Sequence, residues 1–190
     1  MVTALDERTA LVLIDLQRAV VAAQTAHPMD GVLQKNAALV AAFRKAGLPI
    51  VIVKVDFAKA MQQQTRKDAK QASFGTLPPE LLEITPEIET QPNDIFITKH
   101  TWGAFFETGL HDELQKHGVT GIVLGGVATS IGVEGTARQA SELAYNITFA
   151  KDAMTDRIMD AHNHSIQIIF PRIGEVGETG DIITMLAAKG

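Results

Sequence analysis

Short apolar segments alternate along the chain with longer stretches of helical periodicity. The apolar segments are rich in β-branched residues, and each ends beside a polar residue or a glycine, as buried strands do. They predict strands at Ala10–Ile14, Ile50–Val55, Ile95–Thr98, Gly121–Leu124, Ile147–Ala150 and a less regular one near Ile173–Val176. Strands that are apolar on both faces are typical of a parallel sheet covered by helices on either side, so the pattern predicts an α/β fold.

Most of the helical stretches carry apolar residues three and four positions apart and end at glycine or proline, whereas one is rich in small residues and stops near Tyr145. They include the stripe Val32, Leu33, Leu39, Val40 and Phe43, the pair Leu110 and Leu114, the segment Thr136 to Leu143, and the stripe Ile166, Ile169 and Phe170. One connection, Asp56 to Asp94, is too long for a simple crossover, and its first half, Lys59 to Gln71, is polar. It is interpreted either as a solvated helix or loop, or as a mobile lid over a site.

Composition narrows the class of protein. With 190 residues, 46% of them apolar and 21% charged, the chain is expected to form one domain over residues 1–190 and to bury about 70% of its surface. The formal charge of -5 and the absence of a Lys/Arg block argue against nucleic acid as a partner. No apolar run approaches the ~18–20 residues of a membrane span. No signal peptide is recognised, so we expect a soluble, cytoplasmic protein without a membrane partner.

The chain contains no cysteine. This excludes disulfides, thiolate metal sites and a cysteine nucleophile.

Ligands of parallel α/β sheets bind beyond the carboxyl ends of the strands. Asp15 follows the first apolar segment and Lys99 the third. Each is interpreted either as a capping or solvated residue, or as half of a pair in which the Lys99 ammonium acts on the Asp15 carboxyl or on a substrate oxygen. Trp102 lies in the loop that follows Lys99, and it is either a core residue or a pocket wall.

The fourth segment ends in a glycine-rich turn, Gly125 to Gly132, which contains an Ala-Thr-Ser-Ile-Gly sequence close to the nucleophile elbow of serine hydrolases. Ser130 is therefore either a helix cap or a nucleophile. His162 and His164 lie two residues apart, a spacing that does not share a helix face. They are interpreted as surface or capping residues rather than metal ligands.

Three of these strand ends resemble motifs of the isochorismatase-like hydrolases, from about residue 9 to the C-terminus and in the same order. They are Ala10 to Gln17, Lys99 with Trp102 to Phe105, and Gly125 to Ala137. The resemblance implies a six-stranded parallel sheet in the order 3-2-1-4-5-6 between helical layers, and a non-proline cis peptide at Val127–Ala128. It also implies a homo-oligomer, a dimer or larger.

Most members of the family that this chain resembles hydrolyse amides with an Asp–Lys–Cys constellation. Here Gly132 stands where the cysteine would be. The metal-binding members carry Asp-x-His after the second strand, whereas this chain has Asp56-Phe57-Ala58. The comparison therefore implies no metal and no cofactor.

The branch with glycine at the cysteine position hydrolyses a vinyl ether by proton transfer. Likeness to that branch implies a hydrolase of a small molecule, with Asp15, Lys99 and Gly132 as the catalytic positions. The residues expected to line its pocket are Gln17, Phe57, Trp102, Val127, Ala128 and Thr129. Arg18 and Arg66 are the candidates for binding an anionic substrate. Two alternatives stay open: an inactive binding or regulatory protein on the same fold, and an esterase that uses Ser130.

Overall fold

The computed structural model describes residues 2–60, 65–68 and 77–188. Within them six strands form one parallel sheet in the order β3-β2-β1-β4-β5-β6, which confirms the predicted fold class and strand order. The strands are Thr9–Ile14 (β1), Ile50–Val55 (β2), Ile95–Lys99 (β3), Gly121–Val127 (β4), Asn146–Thr155 (β5) and Glu175–Gly177 (β6).

Helices connect the strands and cover both faces of the sheet. They are Arg18–Val21 (α1), Met29–Lys45 (α2), Phe57–Ala60 (α3), Pro79–Leu82 (α4), Leu110–Lys116 (α5), Glu134–Glu142 (α6), Met159–His164 (α7) and Thr179–Ala187 (α8). A π-helical turn, Thr129–Val133, leads into α6, and a second one, Ser165–Ile169, continues α7 into the short 3-10 helix Phe170–Arg172. No helix in the described part of the chain is long and apolar enough to cross a membrane.

The core consists of two clusters, one on each face of the sheet. Along β1, Val12 and Ile14 face the cluster that contains Leu114 of α5, whereas Leu11 faces the cluster that contains Phe43 of α2. Successive residues of a strand point to opposite faces, so a strand that is buried on both sides is apolar throughout. Each fully buried Leu, Ile or Phe contributes about 1.5–3 kcal/mol, so the covering layers hold β1 firmly in place.

The largest difference from the predicted elements is in β5. The apolar run ends at Ala150, but the strand continues through Lys151 and Asp152 to Thr155. Its pairing with β4 shifts register between Leu124 and Gly126, so an irregularity carries two charged residues within the strand. Of the polar stretch Lys59 to Gln71, for which a lid is one interpretation, residues 61–64 and 69–71 lie outside the described residues.

The chain places β2 and β3 on one side of β1, and β4, β5 and β6 on the other side. The strand order therefore reverses between the neighbours β1 and β4. Such a switch point opens a crevice beyond the strand ends. The backbones approach closely here: a Cβ on Gly126, whose φ is +115°, would lie 2.2 Å from the carbonyl oxygen of Ile14. Only glycine fits this contact, and it brings the end of β4 against Asp15.

Candidate active site

Asp15 lies at the carboxyl end of β1, where the strand leaves the sheet. Its backbone N–H donates to the carbonyl of Val53 at 3.0 Å, which ties it to β2. Its φ is +53°, in the left-handed region that Asp and Asn tolerate better than other side chains. The residue is buried, so the carboxyl group is fixed in place and largely removed from bulk water.

Lys99 ends β3 and meets Asp15 from the other side of β2. Its Nζ lies 2.7 Å from Oδ2 of Asp15, and the side chains are 3% and 9% exposed. The same ammonium donates to the carbonyl of Thr101 at 3.1 Å. The backbone N–H of Asp56, at the end of β2, donates to the carbonyl of Lys99 at 2.8 Å, which fixes the strand end from which the lysine extends.

The two oxygens of the Asp15 carboxyl group differ. Oδ2 is paired with Lys99, whereas Oδ1 is buried and has no hydrogen-bond partner among the described residues. Burial raises the pKa of Asp15 from 3.8 to about 6, and the ammonium of Lys99 opposes this rise. Buried polar atoms are normally paired, so an unpaired carboxyl oxygen with a pKa suited to proton transfer near neutral pH marks Asp15 as the candidate acid of the site.

Gly132 lies in the π-helical turn that follows β4, beside Asp15. A Cβ at this position would be 3.3 Å from Oδ2 of Asp15 and 2.8 Å from Cγ2 of Ile14. The peptide bond between Val127 and Ala128, in the same loop, is cis. Glycine is therefore the residue that fits against the carboxyl group without displacing Ile14, and the structure brings together all three residues predicted to be catalytic.

Hydrogen bonds hold this loop. The N–H and the hydroxyl of Ser130 both donate to Oδ2 of Asp156, at 2.7 and 2.8 Å. The hydroxyl of Thr136 donates to the carbonyl of Gly132 at 2.7 Å. Ser130 lies within the π-helical turn, and its hydroxyl caps neither that turn nor α6. The predicted capping role is therefore wrong: Asp156 is the acceptor and Ser130 the donor. None of the described hydrogen bonds of Ser130 is to a histidine base, the contact that a serine nucleophile requires.

The prediction that Gln17 lines the substrate pocket needs correction. The residue is buried, and its amide nitrogen donates to the carbonyls of Val55 and Leu82 at 3.2 and 3.0 Å. Its amide oxygen accepts the N–H of Val55 at 2.8 Å. Because these bonds occupy both ends of the amide, Gln17 braces the end of β2 rather than offering a free group to a substrate.

The remaining residues predicted around the pocket differ in exposure. Trp102 lies in the expected loop after β3 and is 65% exposed. Phe57 opens α3 at the end of β2 and is half-buried. Arg18 and Arg66 are both exposed. No contact places either arginine against Asp15, so they remain candidates for binding an anionic substrate from the surface.

His162 does not lie at the surface, contrary to its predicted place. It is 6% exposed, and its Nδ1 lies 2.8 Å from the hydroxyl of Thr129, which is itself buried. Its ring also contacts that of His27, with the centroids 4.6 Å apart. Sequence reasoning missed this because the histidine faces a neighbouring loop, a contact that helical spacing alone does not report. His164 is exposed, as predicted.

Among residues 2–60, 65–68 and 77–188, no group of three or more His, Asp or Glu side chains is placed to hold a metal ion. The carboxylate of Asp56 accepts the N–H of Lys59 at 3.2 Å. It therefore caps the start of α3.

The sequence profile of the Isochorismatase domain matches residues 9–181. The chain belongs to the isochorismatase family. It is 42% identical over 183 residues to the isochorismatase family protein YwoC of Bacillus subtilis, covering 93% of both chains. It is 38% identical to YecD of Escherichia coli O157:H7, covering 94% of this chain and 96% of the relative.

A solved structure shows the same relationship. An isochorismatase family protein from Burkholderia thailandensis superposes with a TM-score of 0.90 at 37% identity, covering 97% of this chain and 98% of that one. Isochorismatase-family proteins are hydrolases, so hydrolysis is the activity that family membership supports. The names of these relatives give no substrate.

Proposed function

We propose that this isochorismatase-family protein hydrolyses a small molecule by proton transfer from Asp15, without a covalent intermediate on cysteine. The observation that carries the proposal is the convergence of Asp15, Lys99 and Gly132 on one buried point, where no side chain or backbone group of the described ranges is bonded to Oδ1 of Asp15. A nucleophilic route through a thiol is closed because the sequence contains no cysteine.

The chemistry that fits these groups is hydrolysis of a vinyl ether. Asp15 in its acid form donates the proton on Oδ1 to the terminal alkene carbon, and the π electrons form the new C–H bond. The carbon attached to the ether oxygen becomes an oxocarbenium ion, which water attacks. One proton of the attacking water returns to Asp15, which leaves a hemiketal. The bond from its carbon to the ether oxygen then breaks as the hemiketal hydroxyl proton passes to that oxygen, giving a ketone and an alcohol. The overall change consumes one water.

Lys99 serves both halves of this cycle. Its ammonium holds Oδ2, which orients the carboxyl group so that Oδ1 carries the transferable proton. It also stabilises the carboxylate that forms when the proton leaves, because the pair lies in a buried site where charges interact strongly. Burial acts in the opposite direction and raises the pKa of Asp15 to about 6. The acid form is therefore available near neutral pH, as a general acid requires.

The test is whether the protein hydrolyses isochorismate, a vinyl ether. Turnover is measured by the release of pyruvate. The wild-type protein is expected to produce pyruvate, and Asp15→Asn to lower kcat by about 10²–10⁴-fold, the usual contribution of a general acid. Asn keeps the size of the side chain and suits the left-handed backbone of residue 15.

Two controls separate the alternatives. Ser130→Ala removes the hydroxyl of the esterase hypothesis and is expected to retain turnover. Full activity in Asp15→Asn would contradict the proton-transfer role. Absence of turnover in the wild type, together with saturable binding of isochorismate, would favour a binding or regulatory protein.

We further propose that the protein acts in the cytoplasm as a homo-oligomer. Three exposed apolar side chains follow the carboxyl ends of strands: Trp102 at 65%, Ile131 at 39% and Ile158 at 63% exposure. Contiguous apolar surface is typical of interfaces, and we propose that these side chains belong to one such patch. Light scattering on the purified protein is expected to give a mass of at least two chains, and a mass of one chain would contradict it.

A further inference from the structure

A cavity lies between α2, β5 and α7, beside the turn that carries Thr129. Its volume is about 400 Å³, within the range of sites that hold small organic molecules. Val32, Met154 and Ile166 give it an apolar lining. Neither Asp15 nor Lys99 borders it, so it is separate from the site described above.

An irregularity in β5 forms one wall of this cavity. Leu124 of β4 pairs with Phe149 and Gly126 with Met154, so one residue of β4 stands opposite four of β5. The extra residues include Lys151 and Asp152, which line the cavity. The amide nitrogen of Asn36, buried in α2, donates to the carbonyl of Ala153 at 2.8 Å. The bulge is therefore braced from the neighbouring helix, and the wall that it forms is a fixed part of the fold.

Two histidines are among the polar residues that line the cavity. Nδ1 of His162 is bonded to the hydroxyl of Thr129 at 2.8 Å, and Nδ1 of His27 to the hydroxyl of Thr155 at 3.0 Å. Among the described residues, neither Nε2 has a hydrogen-bond partner. When the hydroxyl of Thr129 donates to Nδ1, Nε2 of His162 carries the proton and is a donor. Burial and the neighbouring His27 lower the pKa of His162, which keeps the ring neutral at neutral pH.

The rim of the cavity carries two lysines. Nζ of Lys35 lies 3.2 Å from Asp152, and Nζ of Lys151 lies 2.8 Å from Glu178. Asp152 also accepts the N–H and the hydroxyl of Thr179, both at 2.8 Å, so its charge is stabilised without Lys35. Exposed ion pairs contribute little stability, and both lysines are therefore available to an incoming anion at small cost.

We propose that this cavity binds a small monocarboxylate with an apolar body, such as a fused aromatic acid. The hydrocarbon body would lie against Val32, Met154 and Ile166, and the carboxylate would accept hydrogen bonds from the lysines at the rim and from Nε2 of His162. The inference does not depend on the proposed function, because it concerns binding and a different cavity.

The probe is 2-naphthoate, and titration by calorimetry measures its dissociation constant. We expect saturable binding with a dissociation constant on the order of 1 mM or tighter, as suits a ligand of this size. The neutral isostere 2-naphthamide is expected to bind at least about tenfold more weakly, because it lacks the charge that Lys35 and Lys151 recognise. Equal affinity of the two compounds would contradict the assignment of a carboxylate.

Gly31 provides the variant that tests the location. It lines the cavity, lies within α2, and a Cβ added there meets nothing within 4 Å. Gly31→Phe is therefore expected to fill the cavity without displacing the backbone and to weaken 2-naphthoate binding by at least about tenfold. Gly180→Phe is the matched control, since Gly180 lies in α8, has equally open surroundings and does not border the cavity.

A second readout is independent of the folding of either variant. In amide NMR spectra of the wild-type protein, 2-naphthoate is expected to shift the resonances of His27, His162 and Thr129, and to leave that of Asp15 in place. Failure of 2-naphthoate to saturate, unchanged affinity in a folded Gly31→Phe, or shifts confined to Asp15 and its neighbours would each overturn the proposal.

Discussion

A buried carboxylate is paired with a cation at each end of β3, Asp94 with Arg44 at its start and Asp15 with Lys99 at its end, but the two pairs differ in one respect. At the start of the strand, both oxygens of Asp94 are bonded: Arg44 reaches them at 3.3 Å each, and the N–H of Gln91 donates at 2.6 Å. At its end, Lys99 holds only one oxygen of Asp15. A fully bonded pair fixes the chain, whereas an incompletely bonded one retains a group for chemistry.

The largest expected difference between the two pairs appears when the cation is removed from each. Lys99→Met is expected to lower kcat/KM by about 10²–10³-fold, because the carboxylate formed in the reaction loses its stabilising charge. Arg44→Met is expected to leave kcat/KM within about twofold while lowering the free energy of unfolding by about 1–3 kcal/mol, since a buried acceptor loses its donor. Steady-state kinetics and urea denaturation of both variants measure this, and equal losses of activity would contradict it.

The pH dependence of turnover is the next largest effect. If Asp15 must be protonated, kcat/KM falls above its pKa of about 6, by about tenfold for each further pH unit. In Lys99→Met the residual activity is expected to persist to higher pH, because the ammonium that lowers the pKa of Asp15 is gone. A rate that rises from pH 5 to pH 8 would show that the ionised carboxylate acts instead.

The same titration affects stability. The pKa of Asp15 in the folded chain, about 6, lies above its ordinary value of 3.8, so the folded state binds the proton more tightly. This contribution to stability is fully present below about pH 3.8 and is lost as the pH rises to about 6. It amounts to about 3 kcal/mol. Asp15→Asn is expected to lack this dependence, so the difference between its unfolding free energy and that of the wild type should change between pH 4 and pH 7. A constant difference would contradict the raised pKa.

The smallest expected effect is the difference between alanine substitutions at two glycines, Gly132 in the site and Gly180 in α8. In Gly132→Ala the new methyl group meets Cγ2 of Ile14 and lies against Asp15, so a stability loss of about 1–3 kcal/mol and reduced turnover are expected. In Gly180→Ala the methyl group meets nothing. That variant should gain about 0.5–1 kcal/mol from helix propensity, with turnover unchanged. Thermal denaturation and kinetics of the two proteins provide the comparison.

Much of the candidate site was predictable because it lies at strand ends. Asp15 and Lys99 each follow an apolar run, and the carboxyl ends of parallel strands share one edge of the sheet. The role of Gly132 came from its resemblance to a family motif, since a glycine has no side chain from which chemistry is inferred.

The sequence was less informative where a polar residue faces inward. Lys151 and Asp152 interrupt the apolar run of β5 and indicate the end of a strand, although the pairing with β4 resumes beyond them. Gln17 lies two residues after Asp15, at a position suited to binding a ligand. Its amide is instead hydrogen-bonded to the backbone of Val55 in β2. In each case the deciding contact is made by residues distant in the chain, which local periodicity does not report.

The left-handed backbone of Asp15, with φ at +53°, limits which side chains the folded protein tolerates at this position of the site. Branched side chains are strained in this conformation, whereas Asn and Gly accept it. A saturation library selected only for expression should therefore be enriched in Asp, Asn and Gly at codon 15. The backbone narrows the choice of side chain there before any selection for catalysis is applied.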